Sequence, residues 1–396
     1  MSNNATDIVG LGVVSGYGWG RDTFWEGLSS GKPAARLIGG YGEDHTESAW
    51  LALVPEGGDP DDGEGLFGRA FMATAREAVA DAKARGWVPG ARVGVISVGC
   101  FNDMYGWTEF SAGRARRSRD FVRVLPSTPV SMFMHEFGFH GPSLMVSATC
   151  ASTNNALLVA KLWLDADKVD DVVVVAADLS FTPEIVAGFT RLGAAAVDIE
   201  PLDACRPFQE GGKGFGPGEA AVGFVMSSRQ LAGFVTVSRA TPYAALLGGA
   251  MTSDGHHATG MDPEHVEVIR CVAEAIDDAG VDPAEVRYLN AHGTGTQQCT
   301  DAEIHFLDEV FGPRLPHIYA LKPLVGHCLA GAGAIELAGT LMGYEHKQVP
   351  ASRIVSTAHP RLLDGLTPLE GGLTLKTSMG MGGYNSAVVI GPAAAI

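Results

Sequence analysis

The run Asp171-Val172-Val173-Val174-Val175-Ala176 limits the possible fold more than any other segment. Four consecutive β-branched side chains without polar alternation favour an extended strand that is covered on both faces. The same character recurs at Val93 to Val98 and in an opening strand, Ile8 to Val14. Strands of this kind need helices as cover. A helix near Arg21 to Leu28 and an amphipathic run from Gly68 to Arg85, with Phe71, Ala75, Val79 and Ala82 close to helical period, supply it. Strands alternating with helices define an α/β protein. At 396 residues the chain has room for two to three domain-sized units.

A weak internal repeat organises that length. Ser143 to Ser147 reads as a strand leading through Cys150 into a small-residue helix, Ser152 to Leu164. Ile318 to Leu321 leads through Gly326-His327 into a similar helix, Gly331 to Tyr344. Each copy ends on a late strand, Val172 to Ala176 and Ala387 to Ile390. Two copies of one αβ unit, residues 1–230 and 231–396, account for the chain. No low-complexity linker separates them, so one body is expected.

Composition narrows the function. With 28 Lys+Arg against 45 Asp+Glu the formal charge is −17, which disfavours nucleic acid or an anionic membrane as main partner. No apolar stretch approaches the roughly 18 residues that span a bilayer, and the start shows no secretory pattern. Six cysteines lie 28 or more residues apart, with no zinc-like spacing. Scattered thiols of this kind suit a reducing cytoplasm. The 52 glycines have no collagen period and demand tight turns and close backbone approaches.

Five segments could carry chemistry. Gly10-Leu11-Gly12-Val13-Val14-Ser15 nearly matches a dinucleotide fingerprint, but Ser15 stands at the third glycine and a glycine turn at a strand end is the simpler reading. Cys150 sits where a strand gives way to a helix, a position at which the macrodipole and free N–H groups favour a thiolate and can hold an oxyanion; a buried inert cysteine is the alternative. Asn290-Ala291-His292-Gly293-Thr294-Gly295-Thr296 places a histidine on an irregular loop, with two hydroxyls that can point to one side; a turn histidine bonded to backbone is the alternative. Lys322 and His327 precede a small-residue helix, and Ser378 to Asn385 forms a glycine loop before the last strand.

Cys150, His292, Lys322 and His327 in this order resemble the β-ketoacyl synthases of the thiolase fold, the elongating Cys-His-His type. The resemblance covers almost the whole chain. It includes Gly10 to Ser15, Phe24 to Leu28, Arg206-Pro207-Phe208, Gly218-Glu219, Asn290 to Thr296, Lys322, Gly326-His327 and the loop at 380–383. It implies a duplicated αβαβα architecture of five layers with two central mixed sheets. It also implies decarboxylative Claisen condensation of an acyl-Cys150 with a malonyl-type carrier-protein thioester, giving a 3-oxoacyl product. His292 and His327 would bind the extender carbonyl, Lys322 and Glu303 would hold the histidines, and the N–H groups of Cys150 and Met381 would form the oxyanion hole. Thr294 and Thr296 would meet the phosphopantetheine arm of an acyl carrier protein. The resemblance calls for no metal and no other cofactor, and it implies a cytoplasmic dimer, either a homodimer or a heterodimer with a chain-length-factor-like subunit.

Several positions depart from the family pattern. Met381 and Met379 stand where Phe is common, Gln297-Gln298-Cys299-Thr300 follows the histidine loop, and Gly211 to Pro217 lacks the usual Arg-Asp-Gly. Thr149 and Ala151 flank the cysteine in place of the commoner Ala and Ser or Thr. Such departures point to a divergent synthase of a specialised pathway, of type II polyketide or fatty-acid character. A cluster of Arg114, Arg116, Arg117, Arg119 and Arg123 runs against the acidic average and by itself reads as a solvated positive face; in such a family it falls near the entrance used by an acidic carrier protein, which favours docking. Two other functions fit part of the pattern: an acyltransferase that loads Cys150 without elongation, and a non-catalytic chain-length-factor-like partner.

Overall fold

The valine run forms a strand, Asp171–Asp178, in which every residue is buried. The computed structural model describes residues 5–42, 44–63, 65–114, 118–228 and 240–393. The boundary expected at residue 230 falls outside them. In the first half, β1 (Thr6–Ser15), β2 (Val93–Val98), β3 (Ser143–Val146), β4 (Asp171–Asp178) and β5 (Ala220–Ser228) lie in the order β3-β2-β4-β5-β1. In the second, β6 (Ala244–Ser253), β7 (Val286–Asn290), β8 (His317–Tyr319), β9 (Leu373–Gly380) and β10 (Tyr384–Pro392) lie in the order β8-β7-β9-β10-β6. The two orders are the same.

So are the strand directions. β2 runs parallel to β3 and β4, while β5 is antiparallel to β4 and β1. β7 runs parallel to β8 and β9, while β10 is antiparallel to β9 and β6. Three antiparallel pairs, Thr6↔Leu246 to Ile8↔Ala244, join the two sheets along the edges of β1 and β6. With Gly18–Trp19 appended to β1 they make one continuous sheet of 11 strands.

Helices fill three layers around the two sheets. The helix α1 (Leu66–Ala84) covers the outer face of the first sheet, and α3 (Val266–Ala279) the outer face of the second. Between the sheets lie α2 (Ser152–Asp165) and α4 (Ala332–His346), packed against each other and against both sheets. This is the five-layered αβαβα arrangement of the thiolase fold. It explains the composition of α4, where every residue from Ala332 to Tyr344 is buried and small side chains let sheets and helices approach on all sides.

The Gly10–Gly12 pair lies inside β1, so the glycine turn expected at a strand end is not formed there. A Cβ on Gly12 would stand 2.2 Å from the Thr74 carbonyl oxygen, so the glycine is what lets α1 lie directly on the strand. Past the short β1–β6 junction the edge of β1 is closed by α1. Asp81 accepts the Leu11 N–H at 3.0 Å and Glu77 the Val13 N–H at 2.8 Å. At the other end of the first sheet β3 is an edge strand, with Leu144 and Met145 exposed. Among the described residues no helix is long and apolar enough to cross a membrane.

The duplication positions the site. Cys150 follows β3 and precedes α2; His327 follows β8 and precedes α4. The two residues occupy the same place in the two repeats. Strands β7 and β9 deliver His292 and the glycine loop to the same end of the molecule.

Candidate active site

Cys150 stands on a tight turn. Thr149 has φ 48°, a conformation that costs a non-glycine residue about 1–3 kcal/mol and is held here by its surroundings. The Ser152 hydroxyl donates to the Thr149 carbonyl at 2.6 Å and accepts the Ala148 N–H at 2.7 Å, while the Thr149 hydroxyl donates to the Met381 carbonyl at 3.2 Å. These bonds tie the turn to the loop after β9 and aim Cys150 into a cavity of about 590 Å3.

The sequence predicts a lowered thiol pKa; the structure reverses the sign. Burial pushes Cys150 up to about 11, although the Lys322 charge and the N–H groups of Met381 and Cys150 pull it down. The helix α2 begins two residues later, at Ser152. Its dipole supplies about 0.3–1 kcal/mol, less than one pKa unit, and cannot offset that desolvation. The resting group is a thiol that needs a base. Iodoacetamide alkylation of Cys150 is therefore expected to keep rising through pH 9; a plateau below pH 8, read by intact mass, would show a preformed thiolate.

Both histidines have one ring nitrogen occupied by the protein. The Lys322 ammonium donates to Nδ1 of His292 at 3.1 Å, and the Leu329 N–H donates to Nδ1 of His327 at 3.0 Å. Each Nδ1 is thus an acceptor, which places the proton on Nε2. The two rings stand 5.7 Å apart at 88°, and both line the cavity. Burial holds both well below the ordinary histidine range; the Lys322 charge is the next cause for each, with His327 acting further on His292 and Lys376 on both. The donor atoms of Cys150, His292 and His327 all lie within 4.8 Å of one another.

His327 is seated by a close backbone approach. Gly326 has φ 74°, and a Cβ there would meet the Gly218 Cα at 2.8 Å. The Gly216 carbonyl accepts the His327 N–H at 2.7 Å. Gly326→Ala is expected to lower the melting temperature, at a cost of about 1–3 kcal/mol, and to reduce turnover by displacing His327. Unchanged turnover in that variant would separate the backbone geometry from the imidazole.

Charged groups buried behind the histidines fix them. The carboxylate of Glu303 accepts the N–H groups of His292 at 2.7 Å and Gly293 at 2.9 Å, and the Thr377 hydroxyl at 3.2 Å. It holds the backbone of the histidine loop. Lys322 pairs with a different acid: Glu336 on α4, at 2.5 Å, and it also donates to the His292 carbonyl. Lys376 on β9 reaches the second Glu336 oxygen at 2.8 Å. Glu336 and Lys376 escaped the sequence reading, although each carries the one charge in an apolar element, residues 331–344 and Leu373–Gly380. An isolated charge in a segment otherwise destined for burial is the signal that could have found them.

The remaining expected residues divide. Thr294 and Thr296 line the cavity with their hydroxyls 2.9 Å apart. Met379 and Met381 line it too, as do Gln297 and Gln298 of the altered loop. The arginine cluster is only partly described. Arg116 and Arg117, and the side chain of Arg119, lie outside the described residues; Arg114 is exposed and forms two 2.7 Å bonds with Glu109.

A duplicated thiolase fold with a cysteine and two histidines in one cavity defines a condensing-enzyme architecture. Residues 65–232 match the β-ketoacyl synthase N-terminal domain, and residues 243–355 match the β-ketoacyl synthase C-terminal domain. A Staphylococcus aureus 3-oxoacyl-[acyl-carrier-protein] synthase 2 is 30% identical over 70% of this chain and 68% of its own. A Streptomyces halstedii protein whose name describes a polyketide β-ketoacyl synthase is 29% identical across 97% of both chains. The fold matches that of a type II PKS ketosynthase and acyl-carrier protein complex, AntDE:AntF, with TM-score 0.86 and 23% identity over 99% of this chain and 100% of that one. The chain belongs to the β-ketoacyl synthase family, and it is an enzyme of the acyltransferase type.

Proposed function

We propose that the cavity performs decarboxylative Claisen condensation through Cys150, His292 and His327. The observation that carries this reading is the convergence of one sulfur and a ring nitrogen from each of two histidines within 4.8 Å, with both Nδ1 atoms already accepting bonds from the protein. A thioester carbonyl seated near Cys150 meets the N–H groups of Cys150 and Met381, the two that favour negative charge at this sulfur. As Sγ attacks, its proton passes to the departing carrier sulfur, the tetrahedral oxyanion accepts the two N–H bonds, and the carrier leaves as the free thiol.

The second substrate uses the other pair of donors. The carbonyl oxygen of a malonyl-type thioester accepts the Nε2–H groups of His292 and His327. Loss of CO2 leaves its electron pair on the α-carbon as an enolate, whose oxygen those donors stabilise. The α-carbon attacks the acyl carbonyl, and Sγ of Cys150 departs with the electron pair of the broken C–S bond. The product is a 3-oxoacyl thioester on the carrier. Thr294 and Thr296 offer hydroxyls to the phosphopantetheine arm that brings each substrate.

Space and partners agree with this reading. A second cavity of about 530 Å3 shares Cys100 and Phe101 with the first and continues to Met104, Trp107 and Ser111, which gives an acyl chain room beyond the cysteine. Acyl carrier protein brings the substrates; in AntDE:AntF an acyl-carrier protein is in complex with its ketosynthase. The open edge of β3, with Leu144 and Met145 exposed, takes a second subunit. That mate is an identical chain or a chain-length-factor-like one, as in the Xenorhabdus doucetiae ketosynthase with its chain length factor. The two halves, 1–230 and 231–396, act as one unit, because Cys150 comes from one and both histidines from the other. The test is incubation with acyl- and malonyl-carrier protein. Equimolar CO2 and 3-oxoacyl product support condensation, whereas acyl transfer without CO2, or no acylation, overturns it.

A further inference from the structure

Lys376 is fully buried, as are Lys322 and Glu336. It comes from β9, Glu336 from α4, and Lys322 from the short helix Lys322–Val325, so three separate elements converge on one carboxylate. Lys322 takes one Glu336 oxygen at 2.5 Å and Lys376 the other at 2.8 Å; Lys376 also donates to the Thr377 carbonyl. Thr377 in turn accepts the His292 N–H at 3.2 Å and donates to Glu303. Lys376 thus touches both supports of His292: the Lys322–Glu336 pair beneath its ring and the Thr377–Glu303 pair beneath its backbone. It does not line the cavity.

Packing alone does not explain this residue. Lys322 and Glu336 already form a neutral pair, so a second buried ammonium adds a desolvation cost, and the further buried carboxylate, Glu303, is linked to it only by way of Thr377. An apolar residue in the same strand would avoid that cost. We propose that Lys376 is a positioning residue of the condensation, which completes a buried Lys–Glu–Lys bridge and places a second positive charge behind His292 and His327.

That charge acts on a defined set of groups. Those around the two imidazoles are Lys322, Lys376, Glu336, Glu303, Cys150 and the Cys299 thiol, which donates to Glu303 at 3.4 Å. With Lys376 charged, protonating either imidazole adds a third cation to the cluster. Lys376 therefore keeps the rings neutral, with Nδ1 able to accept from Lys322 and from Leu329, to lower pH than the Lys322–Glu336 pair alone. Burial pulls the Lys376 ammonium itself below the ordinary lysine range, and Glu336 acts against that.

The inference rests on the condensing reading for its purpose, but its test does not need turnover. The protein is labelled with 13C in the histidine rings, and the His292 and His327 signals are assigned among the 12 histidines with His292→Gln and His327→Gln. In Lys376→Met and Lys376→Gln both signals are expected to titrate at higher pH than in the wild type, by about half a unit or more. The other histidines keep their midpoints, and the melting temperature does not fall. Unmoved midpoints in a folded variant, or a lower melting temperature as the sole effect, overturn the assignment. If Lys376→Met and Lys376→Gln both fail to fold, the residue is structural and the assignment is likewise overturned. Wild-type protein that releases no CO2 from malonyl-carrier protein refutes the condensing reading and leaves the titration result standing on its own.

Discussion

Cys150→Ala is expected to accept no acyl group from an acyl carrier-protein thioester, a loss of about 10³-fold or more in loading rate. Two other thiols line the same cavity, Cys100 and Cys299, so the prediction is not trivial. Burial pushes Cys100 up to about 12, with Asp178 adding to the rise, and Cys299 is raised further with Glu303 beside it. Neither has the two N–H groups that favour charge on Cys150. The substitution removes one half-buried sulfur, so the melting temperature is expected to stay within about 3 °C of the wild type. Acyl transfer to Cys100 in that variant, seen by peptide mapping, would contradict the assignment.

The second large effect concerns the extender. His292→Ala and His327→Ala each remove one Nε2–H donor from the place where the enolate oxygen forms, and loss of one such donor costs about 10²–10³ in rate. CO2 release is expected to fall by that factor in each variant. Acyl loading is expected to fall less, since its oxyanion is held by backbone N–H groups. His292→Ala carries an added penalty because Lys322 loses the Nδ1 acceptor. A variant in which CO2 release survives while loading collapses would reverse the roles given to the two oxyanion sites.

Much of this architecture is legible in the chain because it is written locally. The runs Val172 to Ala177 and Val93 to Val98 have no stable alternative to a strand covered on both faces, and they fold as such. The repeat was readable because Cys150 and His327 sit between a short strand and a small-residue helix in both halves. Strand β6, Ala-Ala-Leu-Leu-Gly-Gly-Ala-Met-Thr-Ser, escaped for the opposite reason: small residues carry little strand preference, and partners on β10 and β1 decide its conformation. The helix α3 was missed despite Val268, Cys271, Val272, Ala275 and Ile276 at helical spacing, a pattern that was there to be read.

The site divides along the same line. Cys150, His292 and His327 stand in motifs whose glycines and hydroxyls mark them. Their electrostatics is a property of contacts between distant segments. Glu336 lies 14 residues from Lys322 and Lys376 lies 40 from Glu336, and only the packing of α4 against β9 brings them together. The sign of the Cys150 shift shows the same limit. A helix N-terminus is visible in sequence, whereas the burial that outweighs it is not.

One cysteine and two histidines are proposed to form a C–C bond by way of an acyl-enzyme. The most direct measurement loads Cys150 with an acyl group, removes free donor, adds malonyl-carrier protein and follows both proteins by intact mass through a single turnover. The acyl mass is expected to leave Cys150 as an equal amount of 3-oxoacyl-carrier protein appears with one CO2. An acyl-enzyme that persists while malonyl-carrier protein stays intact, or that passes its acyl group on with no CO2 released, would contradict it.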